Sequence, residues 1–189
     1  QADETLKNLT PRPLSHYIFP SPSFTDEEFQ TRQKELTQTH IAQAAMGTAN
    51  MGMFHLLKCF GVQPDFVAGH SYGEYVALCA AGVFDESHLV RLSEARGRFI
   101  VENAHPEVGT MAAIEANPQW VSETIEGLQG VWIANLNAPQ QTIITGTENG
   151  VQTAVQQFEA KGIRAKGLAV ACAFHSPLVA TASQQLKEF

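Results

Sequence analysis

At 189 residues the chain is long enough for one ordinary domain, or for a large lobe carrying a small one. With 44% hydrophobic and 16% charged residues it has the makings of a real core, which excludes a disordered chain. A net charge of −7, with no run of Lys or Arg, argues against nucleic acid and anionic membrane as partners.

In chain order, residues 1–34 read as a polar, Pro-rich lead-in with no signal-like segment. Its ends carry an expectation of their own: Gln1 is not an initiator and Phe189 falls inside a helical pattern, so the chain reads as a piece of a larger protein. From Glu35 to Phe60 the spacing of Leu36, Ile41, Ala45, Met53, Leu56 and Leu57 predicts a helix, with small residues between them suited to close packing. Gly61 and Pro64 end it. Phe66–Gly69 reads as a short buried strand, Tyr72–Ala81 as a helix closed by Gly82, and Glu86–Asn103 as a helix capped by Asp85.

Beyond Gly109 the pattern changes. Strands are expected at 111–115, 131–135, 142–145 and 165–170, and helices at 118–128 and 149–161. That βαββαβ order is the ferredoxin-like arrangement, expected as a small subdomain (109–170) inserted into a larger α/β one (35–108 and 171–189). Cys59, Cys79 and Cys172 are odd in number and widely spaced, which predicts reduced, mostly buried thiols in a cytoplasmic protein and no metal site.

Gly69-His70-Ser71-Tyr72-Gly73 is a G-x-S-x-G pattern placed between a predicted strand and a predicted helix. In that setting a sharp turn presents the serine hydroxyl, glycines on either side relieve crowding, and the N–H of Tyr72 with the helix N-terminus can face an oxyanion. The plainer alternative is a glycine-flanked turn whose serine caps a helix. A serine nucleophile needs a base. Of the seven histidines, His16, His40 and His55 lie in the lead-in and first long helix, and His88 and His105 at helix ends. His70 adjoins the serine but points elsewhere, which leaves it as a substrate-contacting candidate. His175 sits in a loop after the last predicted strand, a usual place for a catalytic side chain.

The stretch from Gly69 to Tyr75, followed by Ala80-Ala81-Gly82, resembles the nucleophile segment of malonyl-CoA:acyl carrier protein transacylases and of the acyltransferase domains of polyketide and fatty-acid synthases. Ala95-Arg96-Gly97, Asn137-Ala138-Pro139 and Ala173-Phe174-His175-Ser176 follow in the family's order, and Thr39 with Gln43 resembles its threonine–glutamine helix, except that Ala44 stands where a proline is usual. The resemblance implies an α/β-hydrolase-like large subdomain and a ping-pong transfer. Ser71 takes malonyl from CoA with His175 as base, His175 is oriented by a backbone carbonyl, and the acyl group passes to the phosphopantetheine thiol of a carrier protein. No cofactor is bound, and malonyl-CoA, a carrier protein and neighbouring synthase domains are the expected partners.

Pattern alone leaves Arg96 open between a structural ion pair and an anion-binding role. It falls on the stripe of Leu89, Leu92, Phe99 and Ile100, while Arg98 pairs with Glu94 on the wet face. The resemblance assigns Arg96 to the malonyl carboxylate, and Phe174 to steric rejection of a methylmalonyl branch, the alternative for Phe174 being a core ring that supports the histidine loop. The alternative functions are a serine thioesterase or hydrolase, which requires an acid orienting His175, and an inactive truncated fragment of such an acyltransferase.

Overall fold

The computed structural model describes residues 1–102 and 109–189, so His105 and the end of the helix expected to reach Asn103 lie outside the described residues. The chain divides into two compact units, 1–101 and 102–189.

The first unit is helical. Short helices α1 (Ala2–Thr5) and α2 (Leu14–Ile18) precede α3 (Asp26–Leu36), α4 (Thr39–Cys59), α5 (Gly73–Ala80) and α6 (Glu86–Glu102). Residues 1–18 are more than a polar lead-in. Leu6, Leu14 and Tyr17 are buried with Ile41, Ala44 and Val90 in one core cluster, so most of the large apolar residues of this segment are spent on the core, Leu9 being exposed. Asp3 ties α1 to α2, accepting from the Ser15 amide at 2.8 Å and the Ser15 hydroxyl at 2.6 Å. Thr25 caps α3 by accepting from the amide of Glu28.

The long helix expected from Glu35 to Phe60 starts at Thr39, because α3 occupies the preceding residues. Its first half is buried at Ile41, Gln43, Ala44, Ala45 and Gly47, whereas Met53, Leu56 and Leu57 of its second half are exposed. The strand expected at Phe66–Gly69 does not form; Phe66 is 94% exposed. A strand needs a hydrogen-bonded neighbour, and the described residues of the first unit supply none.

The second unit is built on a four-stranded antiparallel sheet with two helices packed against it. β1 (Thr110–Ile114), α7 (Pro118–Ile125), β2 (Val131–Ala138), β3 (Gln141–Gly146), α8 (Glu148–Ala160) and β4 (Ala165–Gly167) follow in the strand–helix order expected. The sheet order is β2-β3-β1-β4, with Ala112 opposite Ile144 and Gly167. Alternate residues Ala112 and Ile114 of β1 and Ile144 of β3 share a core with Val121 of α7 and Val151, Ala154 and Phe158 of α8. Only three of the six residues expected in β4 pair, and a 3₁₀ turn at Pro177–Val179 and α9 (Thr181–Glu188) end the chain. The chain is thus a mixed α/β protein.

Candidate active site

Ser71 occupies the turn into α5 with φ 53°, a left-handed conformation that costs a non-glycine residue on the order of 1–3 kcal/mol. The turn is closed by hydrogen bonds from the Gly73 amide to the His70 carbonyl at 2.9 Å and from the Glu74 amide to the Ser71 carbonyl at 3.1 Å. Such a tight reversal brings residues 69 and 73 together. A Cβ on Gly69 would stand 2.0 Å from the backbone of Gly73, so residue 69 must be glycine. The other motif glycine corrects the sequence expectation: a Cβ on Gly73 would meet nothing within 4 Å. Only one of the two flanking glycines relieves crowding.

The side chain of Tyr72 is directed into the first unit, and the residue is only 8% exposed. Its ring passes α4 at Gly47, where a Cβ would lie 2.3 Å from the phenol oxygen. The phenol meets Ser93 Oγ of α6 at 2.6 Å. Ser93 gives its single proton to the Leu89 carbonyl at 2.5 Å, so Tyr72 is the donor to Ser93. Burial pushes the Tyr72 phenol up to about 12, against the opposing influence of the Ser93 bond and of Arg96, so it remains protonated.

Arg96 lies at the edge of the buried face of α6 rather than on it. The buried surface of α6 is made by Leu89, Val90, Ser93, Glu94, Ala95, Gly97 and Ile100. It is set by the crossing of α6 over the start of α4, where a Cβ on Gly97 would fall 2.3 Å from His40 Cα. Half-buried Arg96 donates from Nη1 to Gln43 Oε1 of α4 at 2.8 Å, and its guanidinium carbon stands 5.5 Å from the centre of the Tyr75 ring. The same crossing corrects the expectation for Glu94. It does pair with Arg98, at 2.9 Å, but it is only 2% exposed and not on a wet face.

In the second unit His175 also has a left-handed backbone, φ 58°, and is exposed. Its turn is locked by the neighbouring buried Ser176, whose hydroxyl donates to the Ala173 carbonyl at 2.6 Å and accepts from the Leu178 amide at 3.2 Å. The Phe174 amide closes the preceding turn on the Cys172 carbonyl at 2.9 Å. Phe174 is half-buried and His70 exposed. Asn137-Ala138-Pro139 falls at the β2–β3 hairpin, where Ala138 pairs with Gln141. Among the thiols, Cys79 and Cys172 are buried and Cys59 is exposed, in keeping with the expectation of mostly buried thiols. Burial raises the Cys79 thiol, with Glu86 and Asp85 adding to the effect. Among the described residues no group of three or more His, Cys, Asp or Glu could hold a metal ion.

Sequence reasoning missed Ser93, Gly47 and Tyr75 as supports of this region. The available signal was modest. Tyr75 is three residues after Tyr72 on one helix face, Ser93 three before Arg96, and Gly47 is one of several small residues of α4.

This mixed α/β chain thus holds a serine in a left-handed turn at the head of a helix, with a guanidinium fixed on the adjoining helix. The chain belongs to the acyl transferase domain family, whose family model matches residues 2–188. It is 38% identical over 194 residues to the malonyl CoA-acyl carrier protein transacylase of Bacillus subtilis, covering all of this chain and 57% of that protein. It is 34% identical to a polyunsaturated fatty acid synthase from Thraustochytrium, covering 93% of this chain but 6% of that protein. The solved malonyl CoA-acyl carrier protein transacylase of Coxiella burnetii superposes with a TM-score of 0.85 at 30% identity, over 99% of this chain and 58% of that one. The chain therefore spans a little over half of the transacylases it matches, and a small part of the synthase.

Proposed function

We propose that this chain carries the chemistry of a malonyl transfer from CoA to the phosphopantetheine thiol of an acyl carrier protein, through an ester on Ser71. The observation that carries the proposal is the left-handed Ser71 at the head of α5, with Arg96 held by Gln43 and Tyr75 on the elements packed beside it.

In the first half-reaction Ser71 Oγ attacks the thioester carbonyl while His175 takes the hydroxyl proton. The tetrahedral oxyanion is met by the Tyr72 amide and the N-terminus of α5. The C–S bond breaks, CoA leaves as the thiol with the proton returned by His175, and malonyl remains on Ser71. In the second half the carrier thiol gives its proton to His175 and attacks the ester, and Ser71 recovers the proton as it leaves. A backbone carbonyl orients His175. Arg96 binds the free carboxylate through its fork of donors, His70 contacts substrate, and Phe174 disfavours a branch at the α-carbon by about 1–3 kcal/mol. No cofactor is required.

The architecture assigned to this function is an α/β-hydrolase-like large subdomain, 35–108 and 171–189, to whose core residues 1–18 contribute, with the ferredoxin-like subdomain 109–170 inserted. The sheet order β2-β3-β1-β4 supports the ferredoxin-like assignment. The relatives' names support a carrier protein and a multidomain synthase as partners. Among the described residues no helix is long and apolar enough to cross a membrane.

Incubation with labelled malonyl-CoA should trap label on Ser71 and not on a Ser71→Ala variant. Added carrier protein should then take the label. Release as free malonate would instead support a hydrolase, and absence of label in the unaltered chain would overturn the proposal.

A further inference from the structure

We propose that Tyr72 and Ser93 form a clamp that fixes the span between Ser71 and Arg96, and with it the preference for a dicarboxylic over a neutral acyl group. The inference rests on the malonyl-transfer reading above and names two positioning residues for it.

The nucleophile's turn follows residues 61–70, which are all exposed. Its first buried anchor is Tyr72. The phenol donates to Ser93 at 2.6 Å, and Ser93 is fixed in turn on the Leu89 carbonyl of its own helix. Ser93 precedes Arg96 by three residues, one turn of α6. A second connection runs through the aromatic rings. Tyr72 stacks against Tyr75 with centroids 6.2 Å apart and planes at 22°, and the Arg96 guanidinium lies over Tyr75. Backbone, phenol, serine, α6, guanidinium and Tyr75 thus close a ring of contacts that begins beside the nucleophile and returns to its helix. Gly47 completes the arrangement, since any side chain there would displace the phenol.

The chemical consequence follows from the shape of the acyl group. A malonyl thioester has one methylene between the carbonyl to be attacked and the carboxylate to be held. It reacts well only when the hydroxyl and the guanidinium are both at the right separation. An acetyl thioester has no carboxylate and makes no demand on that separation. Loosening the clamp therefore penalises malonyl more than acetyl.

The test measures acylation of Ser71 by malonyl-CoA and by acetyl-CoA in the unaltered chain, Tyr72→Phe, Ser93→Ala and the double variant. Tyr72→Phe keeps the ring stack and the backbone amide and removes only the donor. The malonyl-to-acetyl ratio of kcat/KM should fall about tenfold, the scale of one buried hydrogen bond. Denaturant unfolding of the same four proteins should show coupling between positions 72 and 93, with Ser93→Ala the more damaging single change because it strands the phenolic donor. If Ser93→Ala does not fold, Tyr72→Phe alone decides the ratio. A chain that loads malonyl but shows an unchanged ratio in Tyr72→Phe refutes the clamp and leaves the transfer reading standing. A chain that loads no malonyl refutes both.

Discussion

Nη1 of Arg96 donates to Oε1 of Gln43 at 2.8 Å, joining α6 to the buried face of α4. Gln43 is only 4% exposed, so its amide oxygen is directed by packing and holds the guanidinium in one orientation. The contact turns a long, flexible side chain into a fixed donor fork.

Gln43→Leu keeps the volume and removes the acceptor. The KM for malonyl-CoA should rise about tenfold, the scale of a hydrogen bond to a charged group. Steady-state kinetics with purified carrier protein measure it, and an unchanged KM would detach Gln43 from substrate binding.

The two motif glycines should separate in stability. Gly69→Ala places a methyl 2.0 Å from the Gly73 backbone, which cannot rotate away, and should cost at least about 1–3 kcal/mol of stability with loss of Ser71 acylation. Gly73→Ala meets open space at the first position of α5 and should be neutral or stabilising by about 0.4–1 kcal/mol. Thermal melting of both variants checks this; equal losses would contradict the geometry.

Tyr72 gives a pH dependence with a definite sign. Its folded-state value, raised by burial to about 12, lies above the unfolded value of about 10. The resulting stability is fully present below pH about 10 and is lost as the pH rises towards about 12. In a tyrosinate absorbance titration, one of the three tyrosines should ionise only near pH 12, and that step should vanish in Tyr72→Phe. A step near pH 10 that vanishes in Tyr72→Phe would be the contrary result.

Phe158 is fully buried on α8, with its ring edge-on to Trp120 at 6.3 Å. Phe158→Ala should destabilise the second unit by about 3–5 kcal/mol, read by chemical denaturation followed by Trp fluorescence. A loss below about 1 kcal/mol would mean that this core collapses around the vacancy.

Much of the second unit was legible in advance. Strands such as 110–114 and 141–146 and helices such as 148–160 pack on one another locally, so the periodicity of their side chains already reports their core. The stretch Phe66–Gly69 was not legible in the same way. Its composition suits a strand, but pairing is a tertiary property, and without a neighbouring strand among the described residues the backbone stays irregular. The burial of Leu6 and Leu14 was equally hidden, since helices of four and five residues carry almost no periodic signal.

Sequence alone determined where the chemistry of this chain would be sought. Ser71 stands in a G-x-S-x-G pattern, Arg96 and His175 in stretches whose roles only the family resemblance supplied, and the strain at Ser71 follows from a turn only a few residues long. What tertiary structure decided was which residues hold that chemistry in place. Gln43 and Gly47 on α4, Tyr72 at the head of α5 and Tyr75 within it, and Ser93 and Gly97 on α6 come from three separate stretches of the chain that meet only because the helices cross. No local pattern encodes a hydrogen bond between residues 43 and 96, because such a contact exists only after packing has brought two helices together.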